Sequence, residues 1–239
     1  MELNVEAVVE TLRREGYAVL GELLDQPTLE AMGEEFSSAP SRLPSYSYPF
    51  GEQYRAEAME MRGPLSSSMP VTAEVLLDGP LASVCLAYGA EEERDLFVWS
   101  HEFTRDTEAI YGIPHFDRRH QLKVFVYLTD VDEDSGPTHV ASERPEDFHA
   151  RWLRAWREAL GMDGASDREV LEQVRATSED SSVYRSVACE VDLPRNEFEP
   201  LTGKAGTVVV FDTSLAHFGG LVMHSSASRR TVRRHCLLD

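Results

Sequence analysis

His115-Phe116-Asp117-Arg118-Arg119-His120-Gln121-Leu122-Lys123-Val124-Phe125-Val126-Tyr127-Leu128-Thr129 is the stretch on which the reading of this chain turns. From Gln121 onward the side chains alternate, with Leu122, Val124, Val126 and Leu128 on one face and Lys123, Phe125, Tyr127 and Thr129 on the other. Period two over this length predicts a β-strand, and it is the strongest such signal in the chain. Just ahead of it, His115 and Asp117 stand two residues apart. In an extended segment residues i and i+2 project from the same face, so this imidazole and this carboxylate can grip one metal ion side by side.

The segments around this strand set the fold class. Leu128-Thr129-Asp130-Val131-Asp132-Glu133-Asp134-Ser135-Gly136-Pro137 is turn chemistry, as is Gly203-Lys204-Ala205-Gly206, after which Thr207 to Phe211 predicts another strand. Between them Phe148, Trp152, Leu153, Trp156 and Leu160 recur at helical spacing up to Gly161. Ser166-x-x-Glu169 is a capping box opening a further helix, with Val170, Leu171 and Val174 as its apolar side. Upstream, Leu96, Val98 and Ser100 alternate against Phe97, Trp99 and His101, a third strand signal. At the N-terminus Val5, Val8, Val9 and Leu12 predict a helix over 3–15 that stops at Gly16, followed by an apolar strand from Tyr17 to Leu24. A second helix is capped by Asp25 and carries Leu29, Met32 and Phe36 on one side. Residues 37–70 are rich in Ser, Pro, Gly and Tyr and read as a long loop of the kind that often closes over a site. Helices first, strands later and no regular alternation predict a mainly β protein, an antiparallel core with helices packed outside.

Composition narrows the function classes. The chain has 239 residues, enough for one sizeable core, so a single domain over 1–239 is expected. Its 23 Lys and Arg face 42 Asp and Glu, a net charge of −19 that disfavours nucleic acid and anionic membranes as partners. Three scattered cysteines, Cys85, Cys189 and Cys236, argue against a disulfide framework and fit a reducing cytoplasm. The N-terminus lacks a charged n-region with an apolar stretch, and no run approaches the roughly 18 apolar residues of a membrane span. One asymmetry stands out: Arg229, Arg230, Arg233 and Arg234 fall within six residues of an otherwise acidic chain.

With one imidazole from elsewhere, His115 and Asp117 complete a two-histidine, one-carboxylate facial triad, the set that holds non-heme Fe(II) and leaves three positions open. A His-x-Asp triplet arises readily by chance, so its context decides. That context is an apolar strand, the turn Leu128-Thr129-Asp130-Val131-Asp132 ending in Gly136-Pro137, then Gly206-Thr207-Val208-Val209-Val210-Phe211-Asp212, His217, and Arg229 twelve residues later. This order of parts resembles the phytanoyl-CoA dioxygenase family of Fe(II)- and 2-oxoglutarate-dependent oxygenases. The opening Gly16-Tyr17-Ala18-Val19-Leu20, followed by the helix from Leu29 to Phe36, is also similar to the start of family members.

The resemblance implies a double-stranded β-helix, a jelly roll of cupin type, with residues 1–40 as helical support and 141–180 as a helical insert. It implies that His115, Asp117 and His217 are the iron ligands, with 2-oxoglutarate as cosubstrate and O2 as co-reactant. Arg229 then falls where the family pairs an arginine with the distal carboxylate of 2-oxoglutarate, a role the guanidinium fork suits. Arg230, one slip away, is the runner-up, and Lys123 a weaker rival because a lone strand lysine usually faces solvent. The arginine cluster as a whole reads as a positive wall for a dianion. Asp117 fills the position that related iron halogenases leave as Gly or Ala, which disfavours halogenation. Two departures are Thr138-His139-Val140-Ala141 where the family continues Pro-Gly-Ser-His, and Gly219 where a small hydroxyl is common two residues after the distal histidine.

The implied reaction is hydroxylation of an unactivated C–H bond of a small molecule, an amino acid or natural-product intermediate, with release of succinate and CO2. Ser100, His101, Tyr46 and Tyr48 are the candidate substrate-pocket residues. Two other classes share the sequence signals: a non-enzymatic cupin-like binding protein, and a hydrolase or isomerase using the metal as Lewis acid. His120, His139 and His149 read as surface or turn histidines, and the Trp152/Trp156 stripe as packing.

Overall fold

A computed structural model of the chain describes residues 3–21, 23–38, 69–90, 117, 120–141, 145–176, 198–220 and 229–238. Helix α1 (Val5–Glu15) starts where Asn4 accepts the Ala7 N–H at 3.1 Å, and it ends at Gly16, whose φ of 77° is a left-handed turn glycine adopts without strain. Strand β1 (Tyr17–Leu20) follows at once. It stops at Leu20, short of the expected Leu24, because its partner strand runs out opposite that residue. Helix α2 (Gln26–Ser38) is opened by Asp25, which accepts the Thr28 N–H at 2.9 Å.

Residues 70–88 gave no sequence signal and are helical. Pro70 and Pro80 each sit at a helix start, where a missing N–H costs nothing, and they open α3 (Pro70–Ala73) and α4 (Pro80–Tyr88) around a π-helical turn at Glu74–Asp78. Glu35 of α2 caps α3 by accepting the Val71 and Thr72 N–H groups at 2.8 and 3.0 Å and the Thr72 hydroxyl at 2.8 Å. Contrary to expectation, Pro70–Tyr88 is long and apolar enough for a membrane span by length and composition alone. In the fold, Leu76, Leu81, Val84 and Cys85 of this stretch are spent on the core, and extended Gly79 interrupts it.

Seven strands are described, in two antiparallel sheets. Sheet 1 has the order β1-β5-β2-β7, with β2 at Gln121–Tyr127, β5 at Val208–Asp212 and β7 at Thr231–Leu237. Sheet 2 has the order β4-β3-β6, with β3 at Thr138–Ala141, β4 at Phe198–Leu201 and β6 at His217–Gly219. After β2 the chain crosses to sheet 2 for β3 and β4, returns for β5, crosses again for β6 and returns for β7. The long β3–β4 connection carries α5 (Pro145–Ala159) and α6 (Asp167–Ala176), the predicted insert, with Ser166 and Glu169 bonded as the capping box requires.

The alternation of β2 is resolved by burial of both its faces. Leu122, Val124 and Val126, with Ala18, Val208, Val210, Val232 and Cys236, meet α1 to α4 in one core. Phe125, Tyr127, Val209 and Phe211 meet sheet 2 and the insert in a second, which includes Val140, Leu201, Trp156 and Val170. Leu153, Trp156 and Leu160 of the insert's helical stripe are therefore packing, as their spacing predicts, while the side chains of Phe148 and Trp152 lie outside the described ones. The candidate site lies on this second face of sheet 1, between the sheets.

Candidate metal centre

Register fixes which residues share the inner face. Tyr17, Phe211, Lys123 and His235 form one row across sheet 1, Val209, Phe125 and Arg233 stand in the next along β5, β2 and β7, and Tyr127 pairs Thr231 beyond it. In sheet 2, His217 lies opposite Val140, and Gly219 opposite Thr138. Asp117 precedes β2 and reaches the same space, so sequence positions a hundred residues apart converge there.

His217 is held in one orientation. Its Nδ1 lies 2.9 Å from the Leu215 carbonyl. A carbonyl only accepts, so Nδ1 carries a hydrogen and Nε2 is the nitrogen turned toward Asp117. Nε2 is 3.4 Å from Oδ1 of Asp117. The ring also meets Phe211 edge-on, centroids 5.3 Å apart. A carboxylate oxygen and an imidazole nitrogen turned toward each other are a pair that can share one cation. Metal–donor bonds of about 2.1 Å place neighbouring donors about 3.0–3.4 Å apart, which this separation matches. Two donors are too few for an ion site, and among the described residues no three His, Cys, Asp or Glu side chains gather as one. His115, the third expected donor, lies outside the described residues, as do Ser100, His101, Tyr46 and Tyr48.

The expected clamp residues separate clearly. Arg229 is buried, at 2% exposure, and its Nη1 donates to the Gly136 carbonyl. Burial pulls its guanidinium down to about 10, still charged at neutral pH. Tyr127 is close enough to interact with that charge; burial raises its phenol to about 12, and its hydroxyl donates to the Leu201 carbonyl at 2.5 Å. Arg230 is exposed, and its N–H donates to the Thr129 hydroxyl. Lys123 does not face solvent: its ammonium sits 2.5 Å from Oδ2 of Asp117 with only 13% of the side chain exposed.

The arginine cluster is not one wall. Arg233 stacks on Phe125 between the sheets, 4.2 Å from the ring centroid, whereas Arg234 points to the opposite face and donates to the Leu76 carbonyl of the π turn at 2.5 Å. Nor is His120 a surface histidine. It bonds Asp212, which also accepts from Tyr88, on the helix side of sheet 1. His139 stacks on Phe218, centroids 4.5 Å apart. His235 escaped the sequence reading. It is half-buried beside Lys123 in the ladder, and desolvation, then the Lys123 charge, pulls its imidazole down to about 3, so it is neutral.

This two-sheet arrangement, with its helical layer and insert, is a fold shared with solved structures, among them non-heme α-ketoglutarate-dependent enzymes. The carbocyclase SnoK from nogalamycin biosynthesis aligns over 100% of this chain and 87% of its own, with a TM-score of 0.60 and 14% identity. HygX from Streptomyces hygroscopicus, solved with nickel and 2-oxoglutarate bound, aligns over 100% of this chain and 88% of its own, with a TM-score of 0.56 and 13% identity. AviO1 from Streptomyces viridochromogenes aligns over 99% and 96%, with a TM-score of 0.55 and 17% identity. No family model and no curated protein matches the chain. The phytanoyl-CoA dioxygenase resemblance thus stands on its motif order alone.

Proposed function

We propose that this chain is an Fe(II)- and 2-oxoglutarate-dependent oxygenase in which His115, Asp117 and His217 hold the iron and Arg229 pairs with the distal carboxylate of 2-oxoglutarate. One observation carries the reading: Oδ1 of Asp117 and Nε2 of His217 face each other at 3.4 Å between two antiparallel sheets. The strand order supports a single double-stranded β-helix domain over 1–239, braced by helices within 1–40 and carrying its insert within 141–180. When bound, Fe(II), 2-oxoglutarate and O2 supply an oxidant for C–H bonds, with succinate and CO2 as co-products.

The chain's own residues do the rest. The Leu215 carbonyl fixes the His217 tautomer, leaving Nε2 available as a ligand. Arg229, buried beside Tyr127, has the guanidinium fork that would pair with a carboxylate. Phe125 and Phe211, packed edge to face at 5.2 Å, keep water from the inner face of sheet 1. We take the substrate to be a discrete small molecule of natural-product type. HygX has been solved with hygromycin B bound, and SnoK belongs to nogalamycin biosynthesis, so small-molecule tailoring is at home on this fold. Hydroxylation is the simplest outcome; carbocyclisation and epimerisation are the activities of SnoK and of its fold neighbour SnoN.

The test is an anaerobic titration of the protein with Fe(II) and 2-oxoglutarate. A visible charge-transfer band is expected in the wild type and is expected to vanish in Asp117→Ala. A wild type without the band, or an Asp117→Ala protein that keeps it, would refute the ligand assignment.

A further inference from the structure

We infer that Lys123 is a positioning residue for the metal ligand Asp117, dividing its carboxylate so that Oδ2 belongs to the ammonium and Oδ1 to the ion. This deepens the oxygenase reading and rests on it. The two carboxylate oxygens of Asp117 have different partners. Oδ2 takes the Lys123 ammonium at 2.5 Å, and Oδ1 is turned to Nε2 of His217 at 3.4 Å. A carboxylate free to rotate can present both oxygens to a cation. One already gripped by a charge-assisted bond presents a single oxygen in a fixed direction.

Lys123 is itself immobilised. It stands in a central strand between Phe211 and His235, its register partners in β5 and β7. Its ammonium lies 5.9 Å from the Phe211 ring centroid, near enough for a weak cation–π contact. With 13% and 17% of their side chains exposed, Lys123 and Asp117 are held as a pair, since parting them would leave a largely buried charge uncompensated. Side chains that orient metal ligands in this way change metal affinity about 10–100-fold when removed.

The sign of the effect separates this role from its rivals. A lysine that is only a nearby charge repels a divalent ion, so its deletion would tighten metal binding. A lysine that clamps 2-oxoglutarate would leave metal binding alone and weaken the cosubstrate. A positioning lysine weakens the metal when removed.

The experiment is calorimetric titration of the full chain with Mn(II), without and then with 2-oxoglutarate, in wild type and Lys123→Met, with circular dichroism and thermal melts of the metal-free proteins. Lys123→Thr, a good strand former, is read the same way should the methionine variant not fold. The expected result is at least tenfold weaker Mn(II) binding at an unchanged fold, with 2-oxoglutarate affinity at saturating Mn(II) within about threefold of wild type. Metal binding that is unchanged or tighter overturns the inference and leaves the oxygenase reading standing. A wild type that binds no Mn(II) overturns both.

Discussion

Asp212 accepts from His120 through both of its carboxylate oxygens, with Nε2 2.9 Å from Oδ1 and 3.0 Å from Oδ2. The same carboxylate takes the Tyr88 hydroxyl at 2.8 Å and the Ser214 N–H at 2.8 Å. One buried side chain thus ties the residue before β2, the end of β5, helix α4 and the loop that leads to His217. This knot sits on the helix side of sheet 1, back to back with the candidate metal centre.

Burial by itself would raise the Asp212 carboxyl, but the bonds from His120 and Ser214 outweigh it and hold the group below the usual carboxylate range. A carboxyl depressed in the folded state contributes stability in full above its unfolded pKa, roughly 3.9, and loses it as pH falls through the folded value. Asp212→Asn is therefore expected to cost about 2–3 kcal/mol at pH 7, the scale of hydrogen bonds to a buried charge. Denaturant unfolding followed from pH 7 down to 3 should show the gap to wild type narrowing below about pH 4. A gap that stays constant over that range would contradict this account.

A glycine far from the site by sequence bears on it as well. Gly16 has φ of 77°, and a Cβ there would lie 2.7 Å from Cδ1 of Leu215, the residue whose carbonyl orients His217. Gly16→Ala thus combines left-handed strain with displacement of Leu215. A stability loss of about 1–3 kcal/mol is expected in melts. Mn(II) titration should show weaker binding, which a loss confined to the α1 end would not produce.

How much of this was readable beforehand follows from which faces each strand buries. The β2 alternation was legible because Leu122, Val124 and Val126 meet helices while Lys123, Phe125 and Tyr127 meet the other sheet. Strand β7 carries Arg233 and His235 inward and Arg234 outward, all with partners inside the fold, so its charges concealed a strand buried on both faces. Strands β3, β4 and β6 are three or four residues long, too short for a period to register, and exist because they pair with one another. The helical stretch over 70–88 gave no clear period because its exposed side mixes Leu86 and Ala87 with Glu74, Asp78 and Ser83. Asp117 and His217 could be picked from motif order, but the partner of Lys123 could not, since a side chain's direction depends on the register of three strands.

Inside the second core, Tyr127→Phe isolates one bond. The Tyr127 hydroxyl donates to the Leu201 carbonyl at 2.5 Å, joining the two sheets beside Arg229. Its removal leaves a buried carbonyl short of a donor, and a loss of about 1–2 kcal/mol is expected in denaturant unfolding. Because burial keeps the phenol neutral up to about 12, this loss should be the same at pH 6 and pH 9. A difference that grows across that interval would assign the phenol a charge it is not expected to carry.

The two arginines that begin the last strand segment give the sharpest test of the cosubstrate assignment, because they are adjacent and their surroundings are opposite. Arg229 is buried with its Nη1 on the Gly136 carbonyl, and Arg230 is exposed at the sheet edge. Alternation along β7 puts residue 229 on the face of Thr231, Arg233 and His235, the face that meets sheet 2. Removing one member of a buried charge pair costs about 2–5 kcal/mol, so Arg229→Met is expected to weaken 2-oxoglutarate binding at saturating Mn(II) about thirtyfold or more. Arg229→Lys keeps the charge and loses the fork, and should fall between. Arg230→Met should stay within about twofold of wild type, as an exposed charge contributes little. With the Arg229 guanidinium lowered to about 10, wild-type affinity should be level from pH 6 to 9 as far as this group is concerned, and decline above that range. If instead Arg230→Met abolishes binding while Arg229→Met retains it, the distal carboxylate lies elsewhere and the clamp must be reassigned.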